Sequence, residues 1–271
     1  MKAVSFVRHI DAAGGRAEHA LFPFFFGGKP LSGAGVPQWG MTLLRAGSMR
    51  FRWDEKNEAR GKLAALFAKK RITPIELVHS KIVVEAELPG DTENVRADGI
   101  ISRNAGLVPT VTVADCVPIF LFDTATRSFG IFHSGWKGTG IAAEGVRLMG
   151  ERFGAKPGNI AAAIGPHIGS CCYRVDEERA AFFAENFGAQ CVKTRSGEKT
   201  LSLAKANVTV LKDAGIQEEN IALATDCTCC ATLKNGDFAF GSFRRQAAFL
   251  PPQTSLAERS RAMTVQAAFI G

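Results

Sequence analysis

The sequence predicts an α/β fold of the α+β kind, a single domain over residues 1–271 with mixed β-sheets flanked by helices. Three observations lead there. Short β-branched and aromatic runs recur along the chain, bounded by Gly, Pro and Asp. Segments with apolar residues at helical spacing stand between some of them. The two kinds do not alternate as strict βαβ units, which argues against a doubly wound parallel sheet. No internal repeat or low-complexity linker divides the 271 residues.

The elements follow in order. Residues 27–40, "GGKPLSGAGVPQWG", read as a loop because Gly and Pro dominate. "NEARGKLAALFAKK" places Ala59, Leu63, Leu66 and Phe67 on one helical face. "IELVHSKIVVEAEL" reads as a strand broken at His79. "VPTVTVADCVPIFLFD" reads as two buried strands separated by Ala114-Asp115-Cys116, and "RSFGIFH" as another strand ending at His133. "GIAAEGVRLMGERFG" is expected to be a helix with Ala142, Val146, Met149 and Phe153 inward. "NIAAAIGP" is a short buried strand stopped by Gly165 and Pro166. "DEERAAFFAENFG" opens with acidic residues suited to a helix N-terminus. In "SLAKANVTVLKDAG", Ser202 is the expected cap and Gly215 the stop. "NIALATDCTCCA" and "FAFGSFRRQ" follow.

Composition narrows the function classes. Hydrophobic residues make up 46% and charged residues 22%, enough for an ordinary packed core. No apolar run approaches the roughly 18 residues that span a bilayer, and "ALFPFFFGG" is broken by Pro23. The N-terminus lacks a signal-peptide apolar region, so no membrane partner and a cytoplasmic location are expected. Seven cysteines in such a chain read as reduced thiols or metal ligands, not a disulfide framework. The net charge of +7 is spread out and there is one Tyr, so no nucleic-acid partner is expected. A large apolar interface has no signature, which leaves a monomer.

Three residues interrupt apolar segments near their ends: His79, Cys116 and His133. Two imidazoles and a thiolate suit zinc, and three protein ligands leave a fourth position for water or substrate. A satisfied buried His and an inert apolar Cys remain the alternative, since no short-range spacing groups the three. Asp115 either initiates a turn or orients a ligand His from behind. In "IFHSGWKGTG" a strand delivers His133, and a Gly-rich turn leads into a helix whose free N–H groups, with Lys137, suit an anion. Trp136 is expected in the core. His167 is expected on an exposed loop. Arg244 and Arg245 either clamp a phosphate or face water. Adjacent Cys171 and Cys172 do not readily share one ion, and Cys227, Cys229 and Cys230 lack a second pair at finger spacing. C-x-C-C over Cys227, Cys229 and Cys230 offers metal ligands, but structural or adventitious thiols are the expected reading there.

The segments "LVHS", "ADGIIS", "TVTVADCVPIFLFD", "FHSGWKGTG", "AIGPHIGSCCYRV", "CT" and "SFRR", in that order, resemble the YfiH family. This family is also called the laccase-domain or multicopper polyphenol oxidase family. The resemblance implies a metal held by His79, Cys116 and His133, with Asp115 also at the catalytic site. It implies zinc as cofactor, with purine nucleosides and phosphate as partners. The implied activities are phosphorolysis of adenosine, inosine, guanosine and methylthioadenosine, and deamination of adenosine. Lys137, Arg244 and Arg245 are the phosphate or substrate candidates. A conventional laccase is excluded by counting. Only five His are present, and three cannot build a trinuclear copper centre once two serve another metal. A single-copper phenol oxidase, a non-catalytic metal-binding protein and a metal-free hydrolase using Cys116 and His133 are the competing readings. The chain departs from the family pattern at Lys29 after Gly27-Gly28, at Leu77 before "VH" and at Phe243 in "SFRR". All three departures bear on substrate contacts and spare the metal residues.

Overall fold

The computed structural model describes residues 1–195 and 197–271. A seven-stranded sheet runs in the order Lys2–Val4, Ile221–Ala224, Ile160–Ile164, Val117–Asp123, Phe129–Ser134, Gly99–Ser102 and Val83–Glu85. Both parallel and antiparallel pairs occur in it. A five-stranded sheet runs His19–Pro23, Gln38–Thr42, Gln266–Ile270, Leu107–Val113 and Arg71–Pro74. The mixed α/β architecture expected from the sequence is the one found.

Side-chain alternation explains the layering. Along Val117–Asp123, Phe120 and Phe122 join the core between the two sheets, with Trp39, Met41 and Val111 from the other sheet. Ile119 and Leu121 point the opposite way, into a second core under the helices Ile141–Phe153, Glu177–Phe187 and Leu203–Asp213. Both faces are covered, so the strand reads as a continuous apolar run, not an alternating one. Each such buried Phe contributes about 1.5–3 kcal/mol.

Close packing at glycine sets the position of the strand that carries His133. A Cβ at Gly145, inside helix Ile141–Phe153, would lie 2.2 Å from Phe132 Cζ. Gly costs helix stability, but here it lets the helix seat directly on Phe132, the residue before His133.

Leu107–Val113 belongs to one sheet and Val117–Asp123 to the other, so the chain crosses between sheets at residues 114–116. Asp115 turns the corner with φ 83°. The structure differs from expectation at residues 75–88, where the strand is confined to Val83–Glu85. His79 adopts φ 59°, and its N–H and that of Ser80 bond to the Asp98 carboxylate instead of a neighbouring strand. The helix expected over "NEARGKLAALFAKK" is shorter, a 3-10 turn Glu58–Arg60 followed by Gly61–Leu66.

Candidate metal centre

His133 arrives at the end of strand Phe129–Ser134, Cys116 from the sheet crossing, and His79 from the loop beside Asp98. One ligand atom of each lies within 4.8 Å of the others. The two imidazole rings stand nearly perpendicular, with centroids 4.9 Å apart. Burial grades from His133, buried, through Cys116 to the exposed His79, so the group opens toward solvent. A Cβ at Gly135 would sit 3.1 Å from Cys116 Sγ and within 3.9 Å of both rings. That glycine keeps the cradle clear.

Asp98 organises the centre and was not singled out from the sequence. It is fully buried. His133 Nδ1 lies 2.9 Å from one carboxylate oxygen, and the His133 N–H donates to the Asp98 carbonyl at 2.7 Å. The same carboxylate accepts the His79 N–H, the Ser80 N–H and the Ser80 hydroxyl at 3.0, 2.6 and 2.7 Å. One buried anion thus fixes two of the three donors. With Nδ1–H donating to Asp98, Nε2 is the nitrogen that His133, on losing its second proton, would offer a metal, the carboxylate–histidine arrangement that supports metal ligation. Burial opposes the Asp98 charge, but His133 and Ser80 outweigh it and hold the carboxyl below its ordinary value. Burial pushes the Cys116 thiol up, yet the imidazoles of His133 and His79 bring it down to about 6. Burial lowers His133, and the Cys116 sulfur and Asp98 more than reverse this. A thiolate between two imidazoles, one of them braced by a carboxylate, fits a tetrahedral divalent metal such as zinc.

The other sequence candidates are distributed differently. Asp115 does not orient His133. Its carboxylate accepts from the Thr228 and Ser242 hydroxyls at 2.6 and 2.9 Å and from the Arg244 N–H at 2.6 Å. The left-handed corner turns it away from the histidine that Asp98 already holds. Arg245 is not free to clamp a phosphate. It donates to the carbonyls of Thr228, Cys229 and Phe240 and lies 3.8 Å over the Phe238 ring. Arg244 donates to the Arg174 carbonyl and faces Tyr173. Trp136 is exposed instead of lying in the core, with Arg179 and Lys137 against its ring at 4.4 and 5.4 Å. Arg179 was missed because nothing in the run "DEERAAFF" separates it from a solvated helix charge. Lys81, also missed, is the cation that a Cβ on Gly140 would meet at the start of helix Ile141–Phe153. His167 is buried, not exposed, and its Nδ1 lies 2.8 Å from the Gly165 carbonyl.

The cysteines require one more correction. Cys171, Cys172, Cys227 and Cys230 bring their sulfurs together within 4.8 Å. The fold supplies the second pair that linear spacing did not reveal.

Residues 54–249 match a family described as multi-copper polyphenol oxidoreductase laccase. The chain belongs to this laccase-domain family. Relatives include a purine nucleoside phosphorylase of Deinococcus radiodurans, 35% identical over 163 residues, covering 59% of this chain and 63% of that protein. An adenosine deaminase from an unknown prokaryotic organism is 36% identical over 138 residues, covering 49% of this chain and 53% of its own. The matched stretches therefore span 53% to 63% of these relatives' lengths. A crystal structure of the Bacillus licheniformis hypothetical protein YfiH superposes with a TM-score of 0.72 at 26% identity, covering 87% of this chain and 92% of that one. Within this laccase-domain chain, the three remaining histidines are dispersed. His9 packs on Phe22, His19 opens a strand and His167 is tied to Gly165. No helix among the described residues is long and apolar enough to cross a membrane.

Proposed function

We propose that the chain is a zinc-dependent purine nucleoside phosphorylase acting on adenosine, inosine, guanosine and methylthioadenosine, with adenosine deaminase activity, in the cytoplasm. The observation that carries this reading is the convergence of His79, Cys116 and His133 on one solvent-facing point, with Asp98 bracing His133. The names of the relatives supply the substrate class. Zinc held by the three donors would act as a Lewis acid toward an oxygen nucleophile.

In phosphorolysis, a phosphate oxygen forms a bond to C1′ while the C1′–N9 bond breaks. The electron pair leaves with the purine, which takes up a proton. In deamination, water adds at C6 and ammonia departs. Asp98 keeps the His133 ring oriented and its Nδ1 proton in place through either reaction. Arg179, Lys137 and Arg244, grouped around Trp136 and Tyr173, supply positive charge for phosphate. Asp115 is a positioning residue, holding Thr228 and Ser242 while its neighbour Cys116 faces the centre.

The test is an assay of adenosine with phosphate, with and without chelator, the products separated by chromatography. Wild-type protein should release adenine and ribose 1-phosphate, the chelator should stop it, and His133→Ala should lose both zinc and turnover. Retained turnover in zinc-free His133→Ala would refute the proposal. Copper-dependent oxidation of phenols without nucleoside cleavage would replace it.

A further inference from the structure

The four-cysteine cluster lies apart from the His79, Cys116 and His133 group and takes no part in the reaction just described. Its four sulfurs stand close enough to share one ion. Every sulfur lies within 4.8 Å of the other three, and Cys171 and Cys230 are 3.7 Å apart. A tetrahedral ion with metal–sulfur bonds of about 2.3 Å needs sulfurs about 3.8 Å apart. A disulfide needs about 2.05 Å, and the four cysteines are all free.

The backbone is shaped around these sulfurs. Cys227 and Cys230 stand in C-x-x-C spacing, in a turn closed by the Ala231 N–H on the Cys227 carbonyl at 2.9 Å. The Gly169 N–H donates to Cys227 Sγ at 3.1 Å, and the Cys230 N–H donates to the Cys227 carbonyl at 3.3 Å. An amide donor on a sulfur suits a metal-bound thiolate better than a neutral thiol, a weak acceptor. A Cβ at Gly169 would lie 3.1 Å from Cys171 Sγ and 3.5 Å from Cys227 Sγ, so that glycine makes room for both loops. Cys171 and Cys230 are exposed, which gives an ion its way in.

We propose that Cys171, Cys172, Cys227 and Cys230 hold a second zinc ion in a structural site. Four sulfur donors leave no open position, so this ion clamps and does not catalyse. Binding releases the thiol protons to solvent and leaves four zinc–sulfur bonds. The clamp joins residues 169–173 to residues 227–230. The first segment carries Tyr173 and the second carries Thr228, which holds Asp115 beside Cys116. A second ion would therefore stiffen the wall next to the first centre.

The experiment is metal analysis of the full chain, purified under reducing conditions, loaded with zinc and dialysed. Wild type and Cys229→Ser should hold two equivalents, and the Cys171→Ser/Cys230→Ser double variant one. His79→Ala should hold one, lost from the other site. Site-resolved alkylation of wild type supplies a readout that needs no variant to fold. Zinc should shield these four cysteines and leave Cys229 labelling unchanged. Two equivalents in the double variant, equal labelling of the four with and without zinc, or a Cys171–Cys230 disulfide in the reduced preparation would overturn the proposal. One equivalent that disappears in the double variant but survives His79→Ala would support this site and count against the catalytic one.

Discussion

His133 Nδ1 sits 2.9 Å from a carboxylate oxygen of Asp98, and neither side chain is more than 3% exposed. This contact fixes which imidazole nitrogen is left for a metal, and the same carboxylate anchors the loop that carries His79.

Asp98→Asn should therefore weaken zinc binding by roughly 10- to 100-fold, the usual effect of losing a partner behind a metal ligand. The amide cannot accept all the donors now shared by the carboxylate, so about 1–3 kcal/mol of stability should go as well. Competition with a fluorescent chelator and urea unfolding measure the two effects. Unchanged zinc affinity would show that Asp98 is not the brace described.

In the metal-free protein the Cys116 thiolate should persist down to about pH 6, because the imidazoles outweigh the burial that raises it. Its alkylation rate, followed at that residue by mass spectrometry, should fall as pH drops through that value, where the thiolate gains its proton. An ordinary thiol would lose reactivity some two units higher. Bound zinc should protect it throughout.

Gly135→Ala should lower zinc content and turnover together, since the new methyl would meet Cys116 Sγ at 3.1 Å. The change is local, so the far-ultraviolet circular dichroism and the unfolding midpoint should stay near wild type. Full metal occupancy in this variant would mean that the cradle relaxes easily.

Gly145→Ala should act through the fold instead. Its Cβ would clash with Phe132, and overpacking of this kind costs about 1–3 kcal/mol. That exceeds the roughly 0.5–1 kcal/mol that Ala returns to a helix. A lower urea midpoint is expected. A higher one would show that the helix shifts freely away from the strand.

The two adjacent arginines should separate cleanly. Arg245→Ala removes a guanidinium that bonds three backbone carbonyls, so stability should fall by a few kcal/mol. Arg244→Ala should leave the unfolding midpoint within about 0.5 kcal/mol of wild type and raise the KM for phosphate. Equal loss of stability in both would assign Arg244 to the scaffold too.

Much of the centre was legible in the sequence because a polar residue inside an apolar segment has a cost that something must offset. His79, Cys116 and His133 stand out on that ground. Asp98 did not, because an Asp before Gly reads as an ordinary turn residue and only its complete burial reveals its task. Arg245 and Arg179 look alike in the sequence, yet one is tied to backbone carbonyls and the other lies on Trp136. Residues 75–82 mislead because their composition is strand-like, while the Asp98 carboxylate takes the N–H groups of His79 and Ser80 that a ladder would otherwise use.

Local pattern by itself determined most strand and helix types, the acidic start of helix Glu177–Phe187, the helix cap at Ser202, and the identity of the three interrupting donors. Those features depend on side-chain period and short-range hydrogen bonding, which are written along the chain. Only the tertiary structure decided that three donors scattered over residues 79–133 share one point, and that two cysteine pairs 55 residues apart share another. Such meetings depend on how two sheets stack and where the chain crosses between them, and no linear spacing encodes that geometry.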